Sequence, residues 1–159
     1  MRSKLLVISI FAFFNFTSYS QTFSLHHFKY TGNCNLENAL NTVDEKGNKV
    51  TVYQCLVQSP AITIYRVNVI TFKENITDTD EYLRTLKIEY SKLGSTSSTT
   101  LNGIRAVQVK EDVNIQGYSM KQISTATIYK NKSITLVLVT NSPSYDTLLT
   151  DFQSQFVFL

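Results

Sequence analysis

Two adjacent histidines, His26 and His27, and two cysteines, Cys34 and Cys55, are the residues of this 159-residue chain best suited by type to chemistry. A thiolate beside an imidazole makes a nucleophile and its base, and imidazole joined by thiolates or carboxylates makes a metal site. Their spacing favours neither. Neighbouring residues on a strand point to opposite faces, so His26 and His27 do not readily share one ion. No ligand-spacing motif elsewhere completes a site, and no metal is expected. The chain carries no G-x-S-x-G elbow, no H-E-x-x-H pair and no phosphate-binding glycine loop. Its five glycines leave little of the sharp backbone such loops use. An enzyme, a small secreted hydrolase-like one using His26, His27 or a free Cys34, is therefore the second reading, and no cofactor is expected.

The cysteines have a simpler use. In an exported chain an unpaired thiol is a liability, and a Cys34–Cys55 disulfide would close a loop of about 20 residues, contributing roughly 3 kcal/mol by chain entropy. The alternative is a buried Cys55 and a loop thiol at Cys34. Nine tyrosines are the other surplus. Tyr53 and Tyr65 fall on adjoining strands and Tyr118 and Tyr129 on one long hairpin. Exposed, they would offer contact area and hydroxyls at small entropic cost; buried, they are sheet-packing residues with high strand propensity.

The elements that position these residues are legible from periodicity. Ile104 to Lys110, Tyr118 to Tyr129 and Ser133 to Thr140 alternate with period two, and Lys130-Asn131-Lys132 joins the last two as a hairpin. Both faces of this unit are apolar enough to be covered, most simply by helices. Val50 to Val57 and Ile62 to Phe72 form an earlier hairpin around Ser59-Pro60. Asp78 caps a helix whose stripe is Leu83, Leu86, Tyr90 and Leu93, ended by Gly94. Ser142-Pro143 opens a second helix with Tyr145, Leu148, Leu149, Phe152 and Phe156 on one side. Phe23 to Tyr30 reads as a strand, Leu36 to Leu40 as a helical turn or loop, and Ser95 to Thr100 as a flexible loop. Val157-Phe158-Leu159 is apolar enough to dock on the core.

Met1 to Ser20 reads differently from the rest. Arg2 and Lys4 precede an apolar run from Leu5 to Phe16, followed by the small residues Ser18 and Ser20, the pattern of a signal peptide cut before Gln21. The run is shorter than the roughly 20 residues a bilayer span needs, so no transmembrane segment is expected after cleavage. The domain plan is then a signal peptide, residues 1–20, and one domain, residues 21–159, in a periplasmic or secreted protein. The full chain has 15 basic and 12 acidic residues; without Arg2 and Lys4 the balance is 13 to 12. With no clustered basic surface, no nucleic-acid partner is expected.

Strand pair, helix, three strands, helix is an α+β order. The expectation is an antiparallel sheet of about five or six strands flanked by two main helices. Asn102-Gly103-Ile104 opening a strand, the hairpin from Ile128 to Ile134 and the closing helix Leu149 to Phe156 resemble the Mog1/PsbP-like families. That resemblance implies a sheet sandwiched by helices in an accessory or binding protein, with no catalytic constellation to carry over. The signal and the Asn, Ser, Thr, Ile and Lys richness resemble small exported proteins of Bacteroidetes-type bacteria. The functional expectation is a non-catalytic exported module of the cell envelope that binds another protein or a small envelope ligand.

Overall fold

The structure is a computed structural model and describes residues 18–159. Its frame is set by three two-residue turns, Asn102-Gly103, Gln116-Gly117 and Lys130-Asn131. Both residues of each have positive φ, the left-handed backbone that reverses a chain between two strands. They join β6 (Ser95–Leu101), β7 (Ile104–Ile115), β8 (Tyr118–Tyr129) and β9 (Lys132–Thr140) into an antiparallel meander. Strand β9 pairs next with β5 (Thr63–Thr71), β5 with β4 (Lys49–Val57), and β4 with β3 (Glu37–Val43). The result is a seven-stranded sheet of order β3-β4-β5-β9-β8-β7-β6. A second sheet of order β1-β2-β10 comprises β1 (Tyr19–Phe23), β2 (Phe28–Gly32) and β10 (Phe156–Phe158).

The expected α+β architecture of five or six strands between two helices is thus corrected. Strand makes up 55% and helix 18% of the described residues, as ten strands in two antiparallel sheets with two α-helices. Four stretches account for the difference. Ser95 to Thr100 is edge strand β6 rather than a loop, because its threonines are β-branched and its backbone pairs in register with β7. Leu36 to Leu40 falls largely in β3, the opposite edge, where a bulge between Asn38 and Leu40 interrupts the pairing with β4. The stretch from Phe23 to Tyr30 is broken by a 3-10 turn at Ser24–His26 and closes a hairpin instead of running straight. Phe156 has left the second helix to begin β10. The signal-peptide reading lies outside the described residues up to residue 17; Tyr19 and Ser20 already pair with Gly32 and Thr31, so β1 crosses the expected cleavage point.

The helices are close to where periodicity places them. Helix α1 spans Thr79–Ser91, with the Asp78 carboxylate accepting from the Glu81 N–H at 2.8 Å as N-cap. It ends short of Leu93, which is exposed and outside the buried stripe. Helix α2 spans Tyr145–Ser154.

Alternation along the strands gives the large sheet two apolar faces. On the inner face Tyr65, Val67 and Val69 of β5, Ile134, Leu136 and Leu138 of β9 and Ile123 of β8 are all buried. They form one cluster with Leu149 and Phe152 of α2 and with Phe28, Tyr30 and Phe156 of the small sheet. The small sheet is therefore a lid beside α2, not a separate unit. Its packing is close enough that the Tyr30 ring lies over Gly32, where an added Cβ would fall 2.0 Å from the tyrosine oxygen. On the outer face α1 sets Leu83, with Tyr82 and Tyr90, against Val107, Ile128 and Phe72.

Candidate functional site

Helix α1 covers only one side of the outer face, and the register shows where its cover stops. Asn68 of β5 lies opposite Val52 of β4 and Thr135 of β9, and Tyr90 of α1 reaches Thr135 with its hydroxyl; burial there raises the phenol pKa. One row further along β5, Arg66 lies opposite Gln54 and Val137. The next row is Leu56, Ile64 and Val139. Beyond it, Ile62 and Ile64 pack with Met120, Val137, Val139 and Val113 in a small cluster. No helix lies over these outer rows among the described residues. Leu56 is 53% and Tyr118 54% exposed, high values for large apolar side chains.

The open rows form two adjoining hollows. One, of 670 Å³, reaches from the Cys34–Cys55 disulfide past Glu37 and Gln54 to Arg66. The other, of 490 Å³, is lined by Ile62, Ile115, Tyr118 and Met120. Leu56 and Ile64 line both, so the hollows share a wall. Each volume falls in the range of about 300 to 1,000 Å³ usual for small-molecule sites.

Polar atoms at the Arg66 end are under-used. Arg66 donates from Nη2 to Gln54 Oε1 at 3.3 Å, but its Nε is buried with no hydrogen-bond partner, and so is Oδ1 of Asn68. Arg66 is in none of the five ion pairs formed among the described residues. A guanidinium keeps its charge at any physiological pH. The Arg66 end of the first hollow therefore carries a fixed positive charge with no acidic partner among the described residues.

The residues singled out from sequence are distributed elsewhere. Cys34 and Cys55 form the expected disulfide, with Cα atoms 6.1 Å apart. The bond leaves neither a thiol nor a nucleophile at Cys34, and its presence fits an oxidising compartment. Three of the four tyrosines belong to the inner face. Tyr65 is buried with its ring 5.1 Å from that of Phe152. Tyr53 is part-buried against Phe23, with ring centroids 4.6 Å apart. Tyr129 packs against Phe158 with ring centroids 4.6 Å apart and donates to an oxygen of Leu159 at 2.7 Å. Tyr118 is on the outer face at the mouth of the apolar hollow. The four do not make one surface.

His26 and His27 are on the 3-10 turn and its cap rather than on a strand, His27 with a left-handed backbone at φ 59°. His26 Nε2 lies 3.0 Å from the Tyr53 hydroxyl, while Nδ1 is buried without a partner. No carboxylate meets either ring in the hydrogen bonds of the described residues. Among those residues, no three of His, Cys, Asp and Glu gather in a metal-binding group, and no helix is long and apolar enough to cross a membrane.

Desolvation lowers the His26 pKa, with smaller electrostatic contributions from Lys132 and His27. The unfolded chain, with an imidazole titrating near 6.5, then binds a proton more readily than the folded one. The stability that depends on neutral His26 is present above about pH 6.5 and is lost as the pH falls from there through the lowered folded value. A His26→Gln variant, which keeps a partner for Tyr53, should have a flatter melting profile between pH 7.5 and 5. Identical slopes in the two proteins would disprove this.

Sequence reading missed Arg66, Asn68, Gln54, Leu56 and Ile64. A signal was available in β5, where the outward positions run Ile64, Arg66, Asn68, Ile70. Two polar residues inside an otherwise apolar outer row break the pattern of a simply covered strand. Comparison of the sequence with models of known protein families and with curated proteins finds no match.

Proposed function

We propose that the protein is an exported, non-catalytic binding or accessory module of the cell envelope, and that its binding face is the part of the outer sheet surface left open by α1. The observation that carries this reading is the pair of adjoining hollows running from Arg66 past Ile64 and Leu56 to Tyr118, with Arg66 in none of the ion pairs among the described residues. The disulfide supports an oxidising, exported location, and the signal-like start of the chain supports export by cleavage before Gln21. Histidine and cysteine chemistry has less support: Cys34 is bonded to Cys55, and His26 is occupied with Tyr53.

The test is site-directed photo-crosslinking in the native envelope. A photoreactive residue in place of Tyr118, exposed at the groove mouth, should capture a reproducible ligand or partner. One in place of Lys87, on α1 away from the groove, should not. Equal capture at both positions, or capture at Lys87 only, would sink the proposed face. Intact mass of the recovered protein tests export separately, since a mass retaining residues 1–20 refutes cleavage before Gln21.

A further inference from the structure

Resting on that binding face, we infer that its ligand is a small anionic amphiphile: a free monocarboxylate carried on an unbranched apolar chain, with the carboxylate at Arg66 and the chain along Ile64, Leu56, Ile62 and Tyr118. The charge pattern of the groove points to this class. Arg66 is the cation at the floor of the first hollow, it has no carboxylate partner among the described residues, and its Nε faces no acceptor. A carboxylate in the hollow would pair with the guanidinium where Arg66 lines it, accepting charge-assisted hydrogen bonds from its terminal Nη groups.

From Arg66 the groove runs one way into apolar residues. Ile64 is the next outward residue on β5, with Leu56 beside it on β4, and Ile62, just before β5, packs in the same outer cluster. Met120 and Tyr118 of β8 line the far end. Burial of a chain of methylenes there is favourable by about 0.8 kcal/mol for each CH₂ removed from water. Glu37, the one acid lining the first hollow, lies opposite Gln54, on the far side of it from Arg66. Its backbone is about two strand spacings, roughly 10 Å, from that of Arg66. A carboxylate entering over Ile64 therefore meets the guanidinium first. A cationic amphiphile would meet Arg66 at the same place and be repelled.

The experiment is calorimetric titration of the purified protein with dodecanoate below its micelle concentration, alongside dodecylammonium and dodecanol. Saturable one-to-one binding of dodecanoate is expected, at least tenfold tighter than either analogue. Arg66→Met, a swap that keeps the apolar stem, should weaken dodecanoate by tenfold or more, as loss of a charge-assisted hydrogen bond does. Arg66→Lys should recover part of that loss. Tyr118→Ser, at a half-exposed side chain at the start of β8, should weaken binding several-fold with a much smaller change in melting temperature than truncation of a buried core residue, which separates binding from folding. Equal affinity for dodecanoate and dodecylammonium, dodecanoate binding untouched by Arg66→Met, or binding only to anionic lipid vesicles would overturn the inference. Capture by the crosslinker at position 118 combined with no dodecanoate binding would discard the ligand class and leave the binding face standing.

Discussion

Replacement of Phe152 by alanine is expected to lower stability by about 3 to 5 kcal/mol, the usual cost of emptying a fully buried aromatic site. Phe152 is 0% exposed. Its ring meets Tyr65 of the large sheet at 5.1 Å and Tyr30 of the small sheet at 6.0 Å, both edge-on. One side chain on α2 thus ties the helix to both sheets, and the cavity cannot collapse without moving two strands. Leu86 on α1, part-exposed over the outer face, should cost less when truncated. Denaturant unfolding of the two variants checks this order. A Phe152→Ala protein as stable as wild type would mean that α2 and the lid do not pack as described.

Loss of the disulfide should come next, at about 3 kcal/mol or on the order of 10 °C in Tm. Cys34 and Cys55 are 21 residues apart and bracket β3, the edge strand. All seven residues of β3 are exposed, so it brings little apolar burial of its own. The crosslink fixes the segment before β3 to β4 and limits the ways the unfolded chain can hold that edge apart. Melting with and without reductant, or of a Cys34→Ser, Cys55→Ser double variant, measures the contribution. Two alkylatable thiols in the unreduced, denatured protein would refute the bond itself.

Local patterns in the sequence were sufficient for much of the fold. Asp78 marks the start of α1, Asn102-Gly103 marks a turn into β7, Lys130-Asn131 marks a hairpin turn, and period-two alternation marks β4, β5, β8 and β9. Each of these features depends on residues within a few positions of one another. What escaped were the edges and the lid. The Ser and Thr of β6 have no apolar alternation because only Leu101 of that strand is buried, and composition then reads as loop. The small sheet joins Phe28 to Phe158, a pairing across most of the chain that no local window contains. The candidate site was still less visible, since the groove is defined by where α1 stops. Tyr53, Tyr65 and Tyr129 draw attention by type yet serve the inner face, whereas Arg66 and Asn68 become notable only once their partners are counted.

The long reach from β2 to β10 also governs when this protein can finish folding. Phe28 and Tyr30 find their neighbours Phe158 and Phe156 only after residues 156 to 158 are available, and contacts so distant in sequence carry a loop-closure penalty that slows their formation. The meander β6 to β9, with its two-residue turns, can assemble early and locally. The aromatic lid must come late. During synthesis the inner face of the large sheet is therefore open for as long as the last strand is missing, and in that interval the chain is at its most exposed to misassociation and to any chaperone that recognises bare aromatic surface.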